Sequence, residues 1–445
     1  MMSFTNTKKQ HNLLQQNNDL MNEALLHNIW KYKLLGQTQF IGSKHDHIEV
    51  VSIGEHNQDS GPDFFNSKIK INDILLAGNV EIHIKTSDWL KHNHQQNKAY
   101  DNIVLHVVYE HDVELPQNEQ FNVSVLELKE YIKPSLLEQY NQLQLSKQSI
   151  ACGKSITTIS DIVWKSWLDR LAIERIEQKT AYIEHLFEYG KHNHEDALYV
   201  LLCRNFGFKI NNDAFELLGK TLPYSILKKY ADNPIQVEAL LFGVAGFLDE
   251  LFEDKYAKQL QNEFEFLRHK HQLLPIKKEI WKFSKTRPIN FPTIRISQLA
   301  NCIVNQKSLY HLIEEKPDLK SIKLFFEIEP NDYWRTHFKF DVLSEESSKS
   351  LGETAFHSIV INTIVPYLFF MSKHSLNDNY VEYALDLLSQ LPAEINTKTK
   401  EFLKLGVKTE SALESQAQIQ LFDTLCTKKL CLQCNVAEFL LKNSL

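Results

Sequence analysis

The chain reads as an α+β protein, with a small mixed sheet near the N-terminus followed by a long, mostly α-helical remainder. Three observations predict this. Short segments of alternating or β-branched apolar residues crowd into positions 48–128. Amphipathic helical spacing dominates after about residue 152. Glycine (13) and proline (12) are scarce among 445 residues, which favours regular, largely helical structure over irregular chain.

Residues 1–19 are polar, rich in Asn and Gln, and lack the apolar stretch of a signal peptide, so a ragged tail is expected. Leu25, Leu26, Ile29, Trp30 and Leu34 recur at helical spacing and predict a helix over 22–35. Strands are predicted at 48–53, 64–71, 80–84 and 103–109, with turn signals at Asn57, Asp59, Gly61 and Pro62. The polar segment 86–102 is helix-compatible, and 121–128 adds a further strand. The order is therefore helix, three strands, short helix, strand. A helix over 130–145, with Pro134 near its start, leads into helical stretches at 160–189, 194–206, 212–218, 234–253 and 256–272. No fixed-period repeat supports a solenoid, and 344–350 reads as a surface loop. The length exceeds what one core usually serves. The expected division is a tail at 1–19, an α/β domain at 20–135, and a helical domain at 136–445 ending in a cysteine cluster.

An apolar fraction of 43% and a net charge of −7 are ordinary globular values and exclude a general nucleic-acid-coating protein; nucleic-acid contact would need a local basic groove. The longest apolar runs, 237–248 and 359–371, fall short of the roughly 18–20 residues that span a bilayer, so no membrane contact is expected. Three of the six cysteines lie within nine residues, unlike a secreted disulfide framework, and a cytoplasmic location is expected.

The densest chemistry lies between residues 57 and 106. Glu81, His83 and Lys85 alternate along one strand and share a face. Asp63, at the start of a neighbouring strand, stands beside Glu81. Two carboxylates held together repel unless a cation sits between them, and oxygen ligands suit Mg²⁺ or Mn²⁺, which activates water. On this reading Asp63 and Glu81 hold the metal, and His83 with Lys85 positions the water. Two alternatives stand beside it. Zinc held by His83, His92, His94 and His106 is disfavoured because His92 and His94, two residues apart, do not share a helix face. The other is a structural network in which Gly61-Pro62-Asp63 is a turn and Glu81–His83 a satisfied pair.

Pro62-Asp63, a strand, then Glu81-x-His83 resembles the core of the PD-(D/E)XK nucleases, whose element order matches the one above. The resemblance implies a restriction-endonuclease-like fold for the N-terminal domain. It also implies metal at Asp63 and Glu81, with His83 standing where the family has lysine. Glu23 would match an acidic residue of the first helix, and His92, His94, Tyr100 and His106 are accessory candidates. The implied function is metal-dependent phosphodiester hydrolysis on DNA or RNA. The alternative is a non-catalytic nucleic-acid- or protein-interaction protein with a degenerate core. Over nearly the whole length, Gly61-Pro62-Asp63-Phe64, Gly78-Asn79-Val80-Glu81-Ile82-His83, Ser87-Asp88-Trp89, Leu105-His106-Val107-Val108 and Arg287-Pro288-x-Asn290-Phe291-Pro292-x-x-Arg295 resemble an uncharacterised bacterial family, domain of unknown function 2851.

Two further features stand outside that cluster. Cys426-x4-Cys431-x2-Cys434 is suited to zinc or an iron–sulfur cluster if a fourth ligand comes from upstream, with Cys152 preferred over Cys203 and Cys302. Its bland reading is a set of small buried residues. Arg287 and Arg295 flank a proline-fixed loop before a helix start, which fits a phosphate contact or, as the preferred reading, a loop held by arginine hydrogen bonds.

Overall fold

The computed structural model describes residues 21–115, 123–304, 308–327, 329–375 and 379–444; the expected tail at 1–19 lies outside them. The chain forms two compact units, one of residues 1–168, 396–408 and 418–445, the other of 169–395 and 409–417. The break expected at 135/136 falls inside the first unit. Local pattern cannot show that the chain's last segments return to the N-terminal sheet.

In the first unit, α1 (Glu23–Lys31) opens where the Asn22 side chain accepts from the Leu25 N–H at 2.9 Å, a cap worth about 1 kcal/mol. The sheet has seven strands: β1 (Gln39–Ile41), β2 (His47–Ser52), β3 (Glu55–His56), β4 (Phe64–Ile71), β5 (Ile74–Lys85), β6 (Ile103–Glu110) and β7 (Ser124–Glu127). Their order is β1-β2-β4-β5-β6-β7, with β3 also pairing with β4. Pairing is antiparallel from β1 through β5 and parallel from β5 to β7. Between β5 and β6 the expected helix is a single turn, α2 (Asp88–Lys91), followed by two 3₁₀ turns, His94–Gln96 and Lys98–Tyr100.

Alternation gives the sheet two different faces. Val80 and Ile82 of β5 and Leu105 and Val107 of β6 pack with Leu25, Leu26, Ile29 and Trp30 of α1 and with Leu136, Leu137 and Tyr140 of α3 (Pro134–Leu145). The opposite face carries Trp89, Tyr100, Ile103, Val108 and Val125. Gly78 lets β5 run close to residues 102–104. A Cβ there would lie 2.4 Å from Val104 Cγ1 and 2.6 Å from the Asn102 carbonyl.

The second unit is almost entirely helical around one core containing Phe242, Trp334 and Tyr367. Its helix Glu353–Ser375 is long and apolar enough to cross a membrane by length and composition, beyond the 359–371 run seen in the sequence, yet 78% of its apolar window is buried. It is the core helix of its unit, with a π segment at Val360–Ile364.

Glu238 sits in this core at 2% exposure. It accepts from Ser297 Oγ at 2.7 Å and from the Tyr256 hydroxyl at 2.8 Å. Burial pushes its pKa up to about 7. The folded state therefore holds a proton that the unfolded chain releases near pH 4.5. That stability is present at acid pH and is lost as pH rises toward 7. Thermal melts from pH 5 to 7.5 should show a decline of on the order of 1–3 kcal/mol that Glu238→Gln lacks. Equal pH slopes for the two proteins would refute the assignment.

Candidate metal centre

β5 and β6 run in parallel with Glu81 opposite His106 and His83 opposite Val108. The strand period that turns Val80 and Ile82 toward α1 turns Glu81 and His83 to the other face, beneath residues 86–102. Asp63 immediately precedes β4 and is clamped to β5 from both sides. Its N–H donates to Glu81 Oε2 at 3.2 Å, and its Oδ2 accepts from the Ile82 N–H at 2.8 Å. The same Oδ2 lies 3.3 Å from His27 Nε2 on α1. Asp63 is thus joined to Glu81 through its own backbone N–H. Burial, and then the charge of Asp63, raise the Glu81 pKa.

Around Glu81 the histidines converge. Glu81 Oε1 is 3.3 Å from His94 Nε2 and 3.6 Å from His83 Nε2. His83 Nε2 is 3.1 Å from His92 Nδ1, and His83 Nδ1 is 2.9 Å from His106 Nε2. One ligand atom from each of His83, His92 and His94 lies within 4.8 Å of the others. A zinc ion with bonds of 2.0–2.1 Å holds its ligands about 3.4 Å apart in a tetrahedron. The three distances above, 3.1, 3.3 and 3.6 Å, bracket that spacing.

The objection that residues two apart cannot share a helix face does not hold here. The helix ends at Lys91, and Asn93 adopts the left-handed conformation (φ 57°, ψ 34°), which asparagine tolerates. That residue turns the chain so that His94 points back to the spot His92 reaches. The Tyr100 ring stacks on His94 at 3.9 Å, and the buried Trp89 packs against His94 and His106 at 5.3 and 5.0 Å between centroids.

Burial, reinforced by the neighbouring His94 and His92, pushes His83 down to about 4. Burial holds His106 far below the usual histidine range. Both rings are therefore neutral near pH 7, the form that ligates metals. His106 is fully buried, and its Nε2 meets the Nδ1 of His83 rather than the Nε2 that faces His92 and Glu81, the position from which a partner orients a ligand. His106→Leu should weaken metal affinity about 10–100-fold in a competition titration; unchanged affinity would remove His106 from this role.

Glu23 reaches the cluster from α1, feeling His27, His92 and Asp63, and burial raises its pKa. Lys85 does not join it. It is exposed at the end of β5, where its charge acts on Asp112; sharing a face with His83 does not place it at the same depth. Arg295 belongs to the second unit and is buried there. It donates to Gln298 Oε1 at 2.7 Å and to Asn290 Oδ1, and it stacks 4.5 Å from the Phe208 ring. It holds its loop rather than presenting a cation to a phosphate, and Arg287 is exposed nearby in sequence. His27 was not singled out from the sequence. Its signal was the i, i+4 spacing from Glu23, which puts both on one helix face.

The fold and this cluster define a mixed α+β protein with a histidine–carboxylate cluster on one face of its sheet. The chain belongs to the family described as protein of unknown function DUF2851, whose model matches residues 23–397. No curated protein and no solved structure matches it.

Proposed function

We propose that this protein is a metal-dependent hydrolase acting on phosphodiester bonds of DNA or RNA. The observation that carries the reading is the convergence of His83, His92 and His94 with Glu81 beside Asp63, buried at its base and open to solvent at His92. Three imidazoles and a carboxylate favour a first-row transition ion such as Mn²⁺ or Zn²⁺ over Mg²⁺, which prefers oxygen. A bound ion of this kind supplies a polarised phosphoryl oxygen and a water acidic enough to attack near neutral pH. His83, His92, His94 and Glu81 would hold it, and His106 would fix the His83 ring. Asp63 Oδ2 is committed to β5 and His27, whereas Oδ1 has no hydrogen bond among the described residues and is free to orient the water. The substrate class rests on the resemblance to PD-(D/E)XK nucleases, supported by the antiparallel-then-parallel sheet with carboxylates on adjacent strands. His83 takes the place of the family's lysine as a ligand, so that departure changes the metal rather than abolishing the site.

The test is cleavage of labelled single- and double-stranded DNA and RNA with Mn²⁺, Zn²⁺ or Mg²⁺. The wild type should cut with Mn²⁺ or Zn²⁺ and stop with a chelator, and Asp63→Asn should lower the rate at least about 100-fold. No cleavage of any substrate with any of the three ions, or an unaffected Asp63→Asn, overturns the reading.

A further inference from the structure

Cys152, Cys426, Cys431 and Cys434 are free thiols and do not lie among the ligand atoms close enough to share one ion. The second unit holds a cleft of different chemistry. The helix His194–Phe206 supplies one wall, because Glu195, Leu198, Tyr199 and Leu202 recur at i, i+3, i+4 and i+7 and so share a face. Cys302, Ile303, Leu309, Tyr310 and Phe325 close the other sides. The recess between them is apolar, with a free volume of about 30 Å³. A water needs roughly 10–15 Å³ of such volume, so the recess takes about two waters. That is the bulk of a short branched aliphatic chain and less than that of a fused ring. The recess adjoins a polar cleft of about 320 Å³, which shares Glu195 and Tyr224 with it and adds Asn193, Asp196, Lys228 and Lys229.

The walls are held by their own contacts. Tyr224 packs on Tyr199 at 5.4 Å between ring centroids, and Tyr310 stacks on His194 at 5.5 Å. The His194 ring is held in turn by the Tyr367 hydroxyl, 3.0 Å from its Nδ1. The chain reaches the cleft through Lys191 and His192, two consecutive residues in the left-handed conformation (φ 55° and 63°). Backbone in such sparsely populated conformations gathers at ligand-binding positions. Asn193 then caps the helix by accepting from the Asp196 N–H at 3.1 Å.

The charges of the cleft sort into one satisfied pair and one unsatisfied pair. Glu195 accepts from Lys228 Nζ at 3.0 and 3.2 Å and lies 3.7 Å from His311 Nδ1. Asp196 and Lys229 line the same cleft, and neither has an ion pair among the described residues. One carboxylate and one ammonium thus stand uncommitted beside an apolar recess sized for a short side chain. An amine alone or an acid alone matches half of this arrangement. A zwitterion with an aliphatic side chain matches all of it.

We propose that this cleft binds a free α-amino acid with a branched aliphatic side chain. Its ammonium would meet Asp196, its carboxylate Lys229, and its side chain would fill the recess.

The test is isothermal titration of the full chain with L-valine, L-leucine, L-isoleucine and glycine, then with the amide and the deaminated acid of whichever binds tightest. The expected result is saturable binding of one molecule per chain, about 10–100-fold tighter than glycine, the difference that burying the side chain makes. The amide lacks the carboxylate and the acid lacks the ammonium, so each should bind at least about 10-fold more weakly than the parent. Lys229 is exposed, so Lys229→Ala should fold normally; its affinity for the amino acid should fall to that of the wild type for the amide. No saturable binding of any of the three amino acids would overturn the proposal. So would an amide that binds as tightly as the parent, or a Lys229→Ala chain that binds as the wild type does.

Discussion

His83→Asn is expected to abolish saturable transition-metal binding at the sheet face and to lower metal-dependent cleavage at least about 100-fold. His83 occupies the middle of the arrangement. Its Nε2 lies 3.1 Å from His92 and 3.6 Å from Glu81, and its Nδ1 is held by His106 at 2.9 Å. Removing the ring deletes one ligand and leaves His106 without its partner, a loss of about 1–3 kcal/mol of stability. The fold should survive, because Val80 and Ile82 on the other side of the strand are untouched. Isothermal titration with Mn²⁺, beside a thermal melt, checks both halves. A folded variant that binds Mn²⁺ as tightly as wild type would place the metal elsewhere.

Trp89→Ala should cost about 3–5 kcal/mol and take metal affinity with it. Trp89 is fully buried on the polar face of the sheet, where it and Tyr100 enclose His94. The single turn of α2 has little stability of its own, since isolated helices of this length do not persist in water. The indole anchors the whole segment that carries His92 and His94. Trp89→Phe keeps an aromatic ring and should recover most of both properties. Urea unfolding followed by the same titration separates the two effects; a loss below about 1 kcal/mol would show that the segment is held by something else.

What the sequence made legible follows from how each feature is encoded. β4 is found at the residues its alternation marks, Phe64–Ile71, because Ser67 and Ile69 are buried while Asn66 and Lys68 between and beside them are exposed; a register shift between Phe64 and Ser67 changes which face is buried at its start. Glu81 and His83 were visible because a polar pair in an apolar strand contradicts its surroundings. β1 and β3 carry three and two residues, too few for any period to register. The segment 86–102 looked helical because its residues tolerate helix, but its path is decided by a single left-handed residue, Asn93, and by the burial of Trp89. Without that turn, the sequence places the two carboxylates together and gives no reason for His92 and His94 to meet His83. Lys85 shows the converse error: alternation fixes the face of a side chain, while its depth depends on where the strand leaves the core. The return of residues 396–408 and 418–445 to the N-terminal unit is encoded in long-range packing, which no local window contains.

Nitrogen ligation at His83, His92 and His94 is read directly by pulsed electron paramagnetic resonance of the Mn²⁺-loaded chain. Manganese, with its preference for oxygen and nitrogen over sulfur, leaves the thiols aside. One ion bound per chain, with nitrogen couplings from more than one imidazole that vanish in His83→Asn, is the predicted result. A bound Mn²⁺ without nitrogen coupling, or no saturable binding at all, would contradict it.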